Sequence, residues 1–200
     1  MNREAAWGLL TEFTQSESLR KHALAVEACM RACARKFGTE SGAVPGISEE
    51  ELWGVVGLVH DFDYEQYPSL EDHPYKGNAI FKERGWPEVI SRAVMSHADY
   101  TGVTRDSQME KALFACDELA GFITAVALIK PGKSLAEVDV KSVRKRMKDK
   151  AFARKVNRDD IVNGAAGLGV DLDEHIGMCI EALKRIDREL GLDGSAARTA

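Results

Sequence analysis

The chain has 200 residues, of which 44% are hydrophobic, and it carries a formal net charge of −5. This composition is typical of a soluble globular protein with a sizeable core, and the length fits one large domain or two small ones. The negative charge argues against a broad nucleic-acid-binding surface, because phosphate backbones attract basic proteins. It does not argue against a small anionic substrate, since a bound metal ion can supply local positive charge.

Helix signals recur along the whole chain, whereas strand signals are weak. Two capping-box spacings mark helix starts, Ser48 with Glu51 and Ser134 with Glu137. Two further helices are predicted to begin at Pro74 and Pro87. In chain order, the other predicted helices cover Arg3–Phe13, Ser18–Phe37, Leu52–His60, Gln108–Ile129, Asp159–Ala166 and Asp173–Leu190.

These signals predict an all-α fold that forms a single domain over residues 1–192, followed by a disordered tail over 193–200. Pro131-Gly132 is the predicted subdomain joint. Between residues 141 and 158 nine basic residues face one acid. We interpret this basic segment as a solvated helix face, with attraction of an anionic substrate as the alternative.

Cysteine usage and hydropathy predict the compartment. The apolar run Ala112–Ile129 contains Asp117 and Glu118, so it is expected to be a buried helix and not a membrane span. The first residues have no apolar signal-peptide core. We therefore expect a cytoplasmic protein that needs no membrane. The cysteines, which form no CxxC pair and no dense disulfide framework, are Cys29, Cys33, Cys116 and Cys179.

Helical geometry places three ionisable residues on inward faces. His22 shares its face with apolar and small residues of the second helix, and His97 lies on the same face as Ile90 and Val94. Asp117 lies on an apolar stripe. Because a buried, unpaired carboxylate is costly, a nearby cation is expected there.

The His60-Asp61 pair ends a helix segment, Leu52–Val59, that is apolar on every face. Such a helix is buried all round, so its end places an imidazole and a carboxylate in the interior, where both can reach one ion. The alternative is a simple hydrogen bond between the two neighbours. Gly54 and Gly57 on the Asp61 side predict the close approach of another helix.

The candidate ligands limit the metal. Imidazoles combined with carboxylates suit Fe, Mn, Co, Ni or Zn, whereas Ca and Mg prefer oxygen ligands alone. No cysteine belongs to this set, so a structural zinc site is not expected.

The ordered series His22, His60-Asp61 and Asp117 resembles the HD-domain superfamily of metal-dependent phosphohydrolases, which is named for its His-Asp pair. Residues 73–77, His-Pro-Tyr-Lys-Gly, resemble the His-Pro-x-x-Gly turn that follows the pair in that family, and His97 stands where members carry the next histidine. The similarity covers residues 18–129 approximately. It implies an HD-domain-type helical bundle that holds metal in its core, with residues 133–192 as a helical extension.

The resemblance also implies a reaction and a ligand set. The expected activity is hydrolysis of a small phosphoester, with a nucleotide as the expected substrate class, by attack of metal-activated hydroxide. Asp61 is the expected catalytic residue and bridges two divalent ions; no substrate-binding residue is predicted. One ion would be bound by His22, His60, Asp61 and Asp117, and a second by His73, His97 and the bridging Asp61.

Three departures argue against the HD-GYP subgroup, which cleaves cyclic dinucleotides. That subgroup carries a lysine three residues after the aspartate and a paired His-His, where this chain has Tyr64 and, after His97, Ala98. The Gly-Tyr-Pro motif is also missing. Two other functions stay open, namely an HD-type di-iron oxygenase and a non-catalytic metal-binding module.

Several residues next to the implied ligands have no role in that ligand set. They are expected either to orient the histidines, to donate a proton to the leaving group, or to lie in solvated loops. His175 has no counterpart in the family and is expected to be a surface or structural residue. The flanking residues are Asp63, Tyr64, Glu65, Asp99 and Tyr100.

Overall fold

A computed structural model describes residues 2–38 and 44–198. Within these ranges the regular secondary structure is helical and no strand occurs, so the predicted all-α fold is confirmed. Short 3-10 helices cover Asp99–Thr101 and Leu135–Glu137. The α-helices are α1 (Arg3–Phe13), α2 (Glu17–Phe37), α3 (Glu49–Val59), α4 (Tyr75–Glu83), α5 (Glu88–Ser96), α6 (Gln108–Leu128), α7 (Val140–Met147), α8 (Arg158–Leu168), α9 (Leu172–Lys184), α10 (Asp187–Leu190) and α11 (Ser195–Arg198).

The chain divides into two compact units, which we call unit 1 and unit 2. Unit 1 ends at Phe114 and unit 2 begins at Ala115, so the division lies inside α6 and not at Pro131-Gly132. The chain after Pro131-Gly132 stays within unit 2, because the backbone N–H of Leu135 donates to the carbonyl of Leu192 at 2.9 Å. The single-domain organisation stays a prediction.

In unit 1, α3 packs against α2 and α1. A Cβ atom added to Gly57 would lie 2.9 Å from Met30 Cγ and 3.0 Å from Glu27 Cα, so only glycine permits this spacing of α2 and α3. The predicted close helix approach at Gly57 is therefore confirmed. Glu27 is buried at this contact, and its carboxylate accepts hydrogen bonds from Arg3 at 2.7 Å and Arg31 at 3.0 Å.

The helix starts follow the sequence signals with small shifts. The Ser48 hydroxyl accepts from the backbone N–H of Glu51 at 3.2 Å, as the capping box predicts. The Glu51 carboxylate, however, accepts from the backbone N–H of Arg3 at 2.8 Å. It also accepts from the Arg31 guanidinium at 2.9 Å. Pro74 and Pro87 are the residues immediately before α4 and α5.

In unit 2, the basic segment contains α7 and the loop before α8. Seven of its nine basic side chains are exposed, which agrees with a solvated face. Arg158 is instead partly buried and donates to the carbonyls of Ala153 and Val156 at 2.7 and 2.6 Å. The helix predicted to reach Leu190 is interrupted between α9 and α10.

The short helix α11 lies within the segment predicted as a disordered tail, and the disorder itself stays a prediction. Residues 199 and 200 of that predicted tail lie outside the described residues. Across the part of the chain that the structure describes, no helix combines the length and the apolar character needed to cross a bilayer.

Candidate metal centre

His60 follows the last residue of α3 and is fully buried. Its Nδ1 atom donates to the carbonyl of Gly57 at 2.8 Å. The last carbonyls of a helix have no partner within the helix, so this bond satisfies a group that α3 leaves open. It also fixes the tautomer: with the proton on Nδ1, the lone pair is on Nε2, which lies 3.4 Å from Asp61 Oδ2.

His97 repeats this arrangement at the end of α5. Its Nδ1 atom donates to the carbonyl of Val94, three residues earlier. Its Nε2 atom lies 3.3 Å from Asp61 Oδ1. Two helices therefore end in the same way, and each directs an imidazole lone pair toward the same aspartate.

His73 precedes α4 and is oriented by a side chain. Its Nδ1 atom donates to Asp63 Oδ1 at 2.8 Å, while Asp63 Oδ2 accepts from the backbone N–H of Gly77 at 2.7 Å. Asp63 is fully buried. A Cβ atom at Gly77 would lie 2.9 Å from Asp63 Cγ, so the glycine of the His-Pro-x-x-Gly turn provides the space for this carboxylate.

Asp61 is the point where the three imidazoles converge. The Nε2 atom of His73 lies 3.3 Å from Asp61 Oδ1 and 3.4 Å from the Nε2 atom of His97. With each proton held on Nδ1, three lone pairs face one carboxylate, which is a repulsive arrangement without positive charge between them. The positive charge can come from protons or from a metal ion.

The pKa values of His73 and Asp61 also indicate that positive charge is favourable at this position. Burial lowers the pKa of His73, but hydrogen bonds to Asp61 and Asp63 outweigh it and raise the pKa to about 9. Burial raises the pKa of Asp61, but the charge and hydrogen bonds of His60, His73 and His97 hold it well below its usual value. A metal cation at this position would replace those protons.

His22 extends the cluster through ring contacts. Its ring centroid, on α2, lies 5.2 Å from that of His60 in an edge-to-face arrangement. The series continues from His60 to His97 at 5.6 Å and from His97 to His73 at 5.3 Å. Unit 1 thus brings together Asp61 and the four histidines predicted as ligands. Asp117 belongs to unit 2, and its role as a ligand stays a prediction.

The donor set fits a transition-metal ion. The ligand atoms of Asp61, His73 and His97 lie within 4.8 Å of one another. Imidazole nitrogens combined with a carboxylate suit Fe, Mn, Co, Ni or Zn. Hydrogen bonds from Nδ1 to carbonyls or carboxylates are the usual means by which proteins orient metal-binding histidines.

The cluster is open on one side and has an aromatic rim. The Asp61 side chain is 25% exposed. Tyr64 is 41% exposed, and its ring centroid lies 5.4 Å from that of His73. Tyr100 is 44% exposed, and its phenol donates to the His73 carbonyl at 2.8 Å. Burial and the charges of Asp61 and Asp63 raise the pKa of Tyr100 to about 12, so its phenol stays protonated at neutral pH.

The other two flanking acids do not belong to the cluster. Glu65 is exposed and accepts from the backbone N–H groups of Gln15 and Ser16, at 2.6 and 3.0 Å, where α2 begins. Asp99 is exposed and pairs with Arg105. Among the flanking acids, Asp63 is thus the one that orients a histidine.

Comparisons with models of protein families, with curated proteins and with solved structures gave no match. The chemistry of the candidate metal centre therefore rests on its own geometry.

Proposed function

We propose that this protein is a metal-dependent hydrolase of small phosphoesters, built on an HD-domain-type helical bundle. The observation that supports this proposal is the convergence of three oriented imidazoles on the partly exposed Asp61. The resemblance of the His-Asp pair and the His-Pro-x-x-Gly turn to the phosphohydrolases supports the reaction class.

In this proposal His60, Asp61, His73 and His97 bind the metal, and the resemblance adds His22 and Asp117. When bound, one or two divalent ions supply the Lewis acidity that lowers the pKa of a water molecule and neutralises charge on the phosphoryl oxygens. The protein holds each imidazole in the tautomer that leaves Nε2 available for the ion, through Gly57, Val94 and Asp63.

The aromatic rim would receive the substrate. Tyr64 and Tyr100 both contact His73 and are partly exposed, so a phosphoester that approaches Asp61 meets their side chains. Tyr100 donates its single phenolic proton to the His73 carbonyl, so in this proposal it holds His73 in place and does not protonate the leaving group.

The first test is elemental analysis of protein purified without chelator, followed by a panel of phosphomonoesters and phosphodiesters with added Mn, Co or Ni. We expect about one or two transition-metal ions per chain that are bound through Asp61 and therefore absent from Asp61→Asn. Asp61→Asn, which keeps the side-chain shape, should lose the metal of this centre and bring hydrolysis to background. The matched control is Asp72→Asn, one residue before His73, whose carboxylate contacts Ser69 and Lys76, and this variant should behave as the parent protein.

Two outcomes would replace the proposal. An iron-containing protein whose absorption changes with oxygen and that hydrolyses no phosphoester would be an oxygenase. Bound metal without turnover on any substrate of the panel would make the chain a non-catalytic metal-binding module. Full activity and metal content in Asp61→Asn would remove the site assignment itself.

A further inference from the structure

A second group of ligand-type side chains lies within unit 2, on α6 and α9. The ligand atoms of Cys116, His175 and Cys179 lie within 4.8 Å of one another, and all three residues are 0% exposed. The surface alternative for His175 is therefore wrong.

Local geometry explains why these three residues meet. His175 and Cys179 are four residues apart on α9, so they lie on one helix face, with Cys179 Sγ 3.9 Å from His175 Nε2. The same Nε2 atom donates a hydrogen bond to the carbonyl oxygen of Ala115 at 3.0 Å, and Ala115 immediately precedes Cys116 on α6. A Cβ atom at Gly164 would lie 2.6 Å from Ala115 Cα, so α8 also packs directly against this turn of α6.

Two thiols and an imidazole form a donor set for a thiophilic ion, and charge selects among such ions. A divalent ion that replaces the two thiol protons gives a neutral assembly with two thiolates and a neutral imidazole, which suits a fully buried place. A monovalent copper ion would leave a net negative charge there. In a tetrahedral zinc site, sulfur and nitrogen ligands lie about 3.5–3.8 Å apart, close to the contact between Cys179 and His175.

We propose that Cys116, His175 and Cys179 bind a structural zinc ion that joins α6 to α9 within unit 2. Binding releases two thiol protons, moves the imidazole proton of His175 from Nε2 to Nδ1 so that Nε2 can bind the ion, and involves no change of oxidation state. The Ala115 carbonyl is the candidate for the fourth, neutral ligand. This site is separate from the proposed hydrolytic centre and does not depend on it.

The test uses zinc analysis and cobalt substitution of the full chain. Cobalt bound by thiolates has a sulfur-to-cobalt charge-transfer absorption that imidazole and carboxylate ligands do not produce. We expect this band, and about one zinc ion per chain at the unit 2 site, in the parent protein and in Asp61→Asn. Cys116→Ala and Cys179→Ala should lose both the band and this zinc ion. The matched controls are Cys29→Ala and Cys33→Ala, buried cysteines of unit 1, which should keep both signals.

A folded parent protein that binds zinc or cobalt without any thiolate band would overturn the proposal, as would equal zinc contents in Cys179→Ala and Cys29→Ala. A thermal unfolding measurement covers the case in which the cysteine variants fail to fold. The sample is the chelator-treated Asp61→Asn variant, which keeps all the cysteines but has lost the unit 1 site. Equimolar zinc should raise its Tm. An unchanged Tm in that protein would also contradict the site.

Discussion

The two ligand clusters differ in the atoms they offer, in their access to solvent and in the way their histidines are held. In unit 1, imidazoles surround Asp61, whose side chain is 25% exposed. In unit 2, two thiols and His175 are fully buried. A site that turns over a substrate needs an open coordination position, whereas a closed site can only support the fold. The difference in exposure therefore supports the two proposals, a reactive centre in unit 1 and a structural zinc site in unit 2.

The buried polar residues also differ between the two units. Within the described residues, the buried acids are Glu27, Asp63 and Glu110, and all three belong to unit 1. The buried polar residues of unit 2 are Ser134 and His175. The interior of unit 1 therefore contains buried charges that need hydrogen-bond or ion-pair partners, whereas the interior of unit 2 depends mainly on apolar packing.

Chelation should separate the two clusters most strongly. A chelator reaches the open centre of unit 1, so hydrolysis should fall by more than about 100-fold, since even outer-shell changes at such centres cost 10–100-fold. The thiolate–cobalt band of unit 2 should outlast the activity, because its ligands are fully buried. Both signals are followed over time in one cobalt-loaded sample. Equal rates of loss would contradict the difference in access.

Asp63→Asn tests whether orientation of His73 matters for the open centre. Asp63 accepts two N–H groups, and an amide can accept with its oxygen but presents donors on the other side. We expect a 10–100-fold loss of metal affinity or of kcat/KM, measured by metal titration and phosphoester hydrolysis. The control is Glu65→Gln, an exposed carboxylate two residues away, which should leave both quantities unchanged. Equal losses in the two variants would point to a general charge effect.

Gly77→Ala tests the space that the turn provides for Asp63. The added methyl would lie 2.9 Å from the Asp63 carboxylate, so we expect a cost of about 1–3 kcal/mol in the free energy of unfolding and weaker metal binding. The control is Gly8→Ala on α1, where a Cβ meets nothing within 4 Å. That variant should gain up to about 1 kcal/mol from helix propensity. Urea unfolding measures both, and a stabilised Gly77→Ala would contradict the packing argument.

The smallest expected effect is the contribution of Glu51 to stability, which should depend on pH. Burial raises the pKa of Glu51, but hydrogen bonds from Arg31 and from the Arg3 backbone lower it below 4.5. A carboxylate with a lowered pKa stabilises the fold above 4.5, and this contribution disappears as the pH falls through the lowered value. Glu51→Gln should therefore lose about 1 kcal/mol or less at neutral pH and nothing at low pH. Urea unfolding at both pH values tests this, and an equal difference at both would contradict the sign.

Local signals account for much of what the sequence predicts correctly. Periodicity and caps place α1 over Arg3–Phe13 and nearly all of α2 and α6, because these helices bury one continuous apolar face. The inward position of His97 follows from the same periodicity, and that of His60 follows from the apolar character of Leu52–Val59 on every face. The role of Asp63 stays ambiguous in the sequence, since a loop carboxylate acquires its partners only when the chain folds.

The cluster of unit 2 could not be predicted from the sequence. Cys116 lies far from His175 and Cys179 along the chain, and no short spacing connects it to them. The sequence thus predicts no structural zinc ligands among the cysteines, whereas packing of α6 on α9 brings the three side chains together. Contacts between distant helices depend on the whole fold and not on any local pattern.

The hydrogen bonds from His60 to Gly57 and from His97 to Val94 have a consequence for mutation and for protein engineering. Each imidazole is aligned by a main-chain oxygen three residues earlier, so the alignment is inherited from the helix end and requires no particular side chain. Substitutions at Val94 that keep the helix should leave it intact. His73 depends instead on one encoded partner, Asp63. A histidine placed just after a helix is thus oriented by the helix backbone itself, so the same arrangement can be designed into other helical proteins.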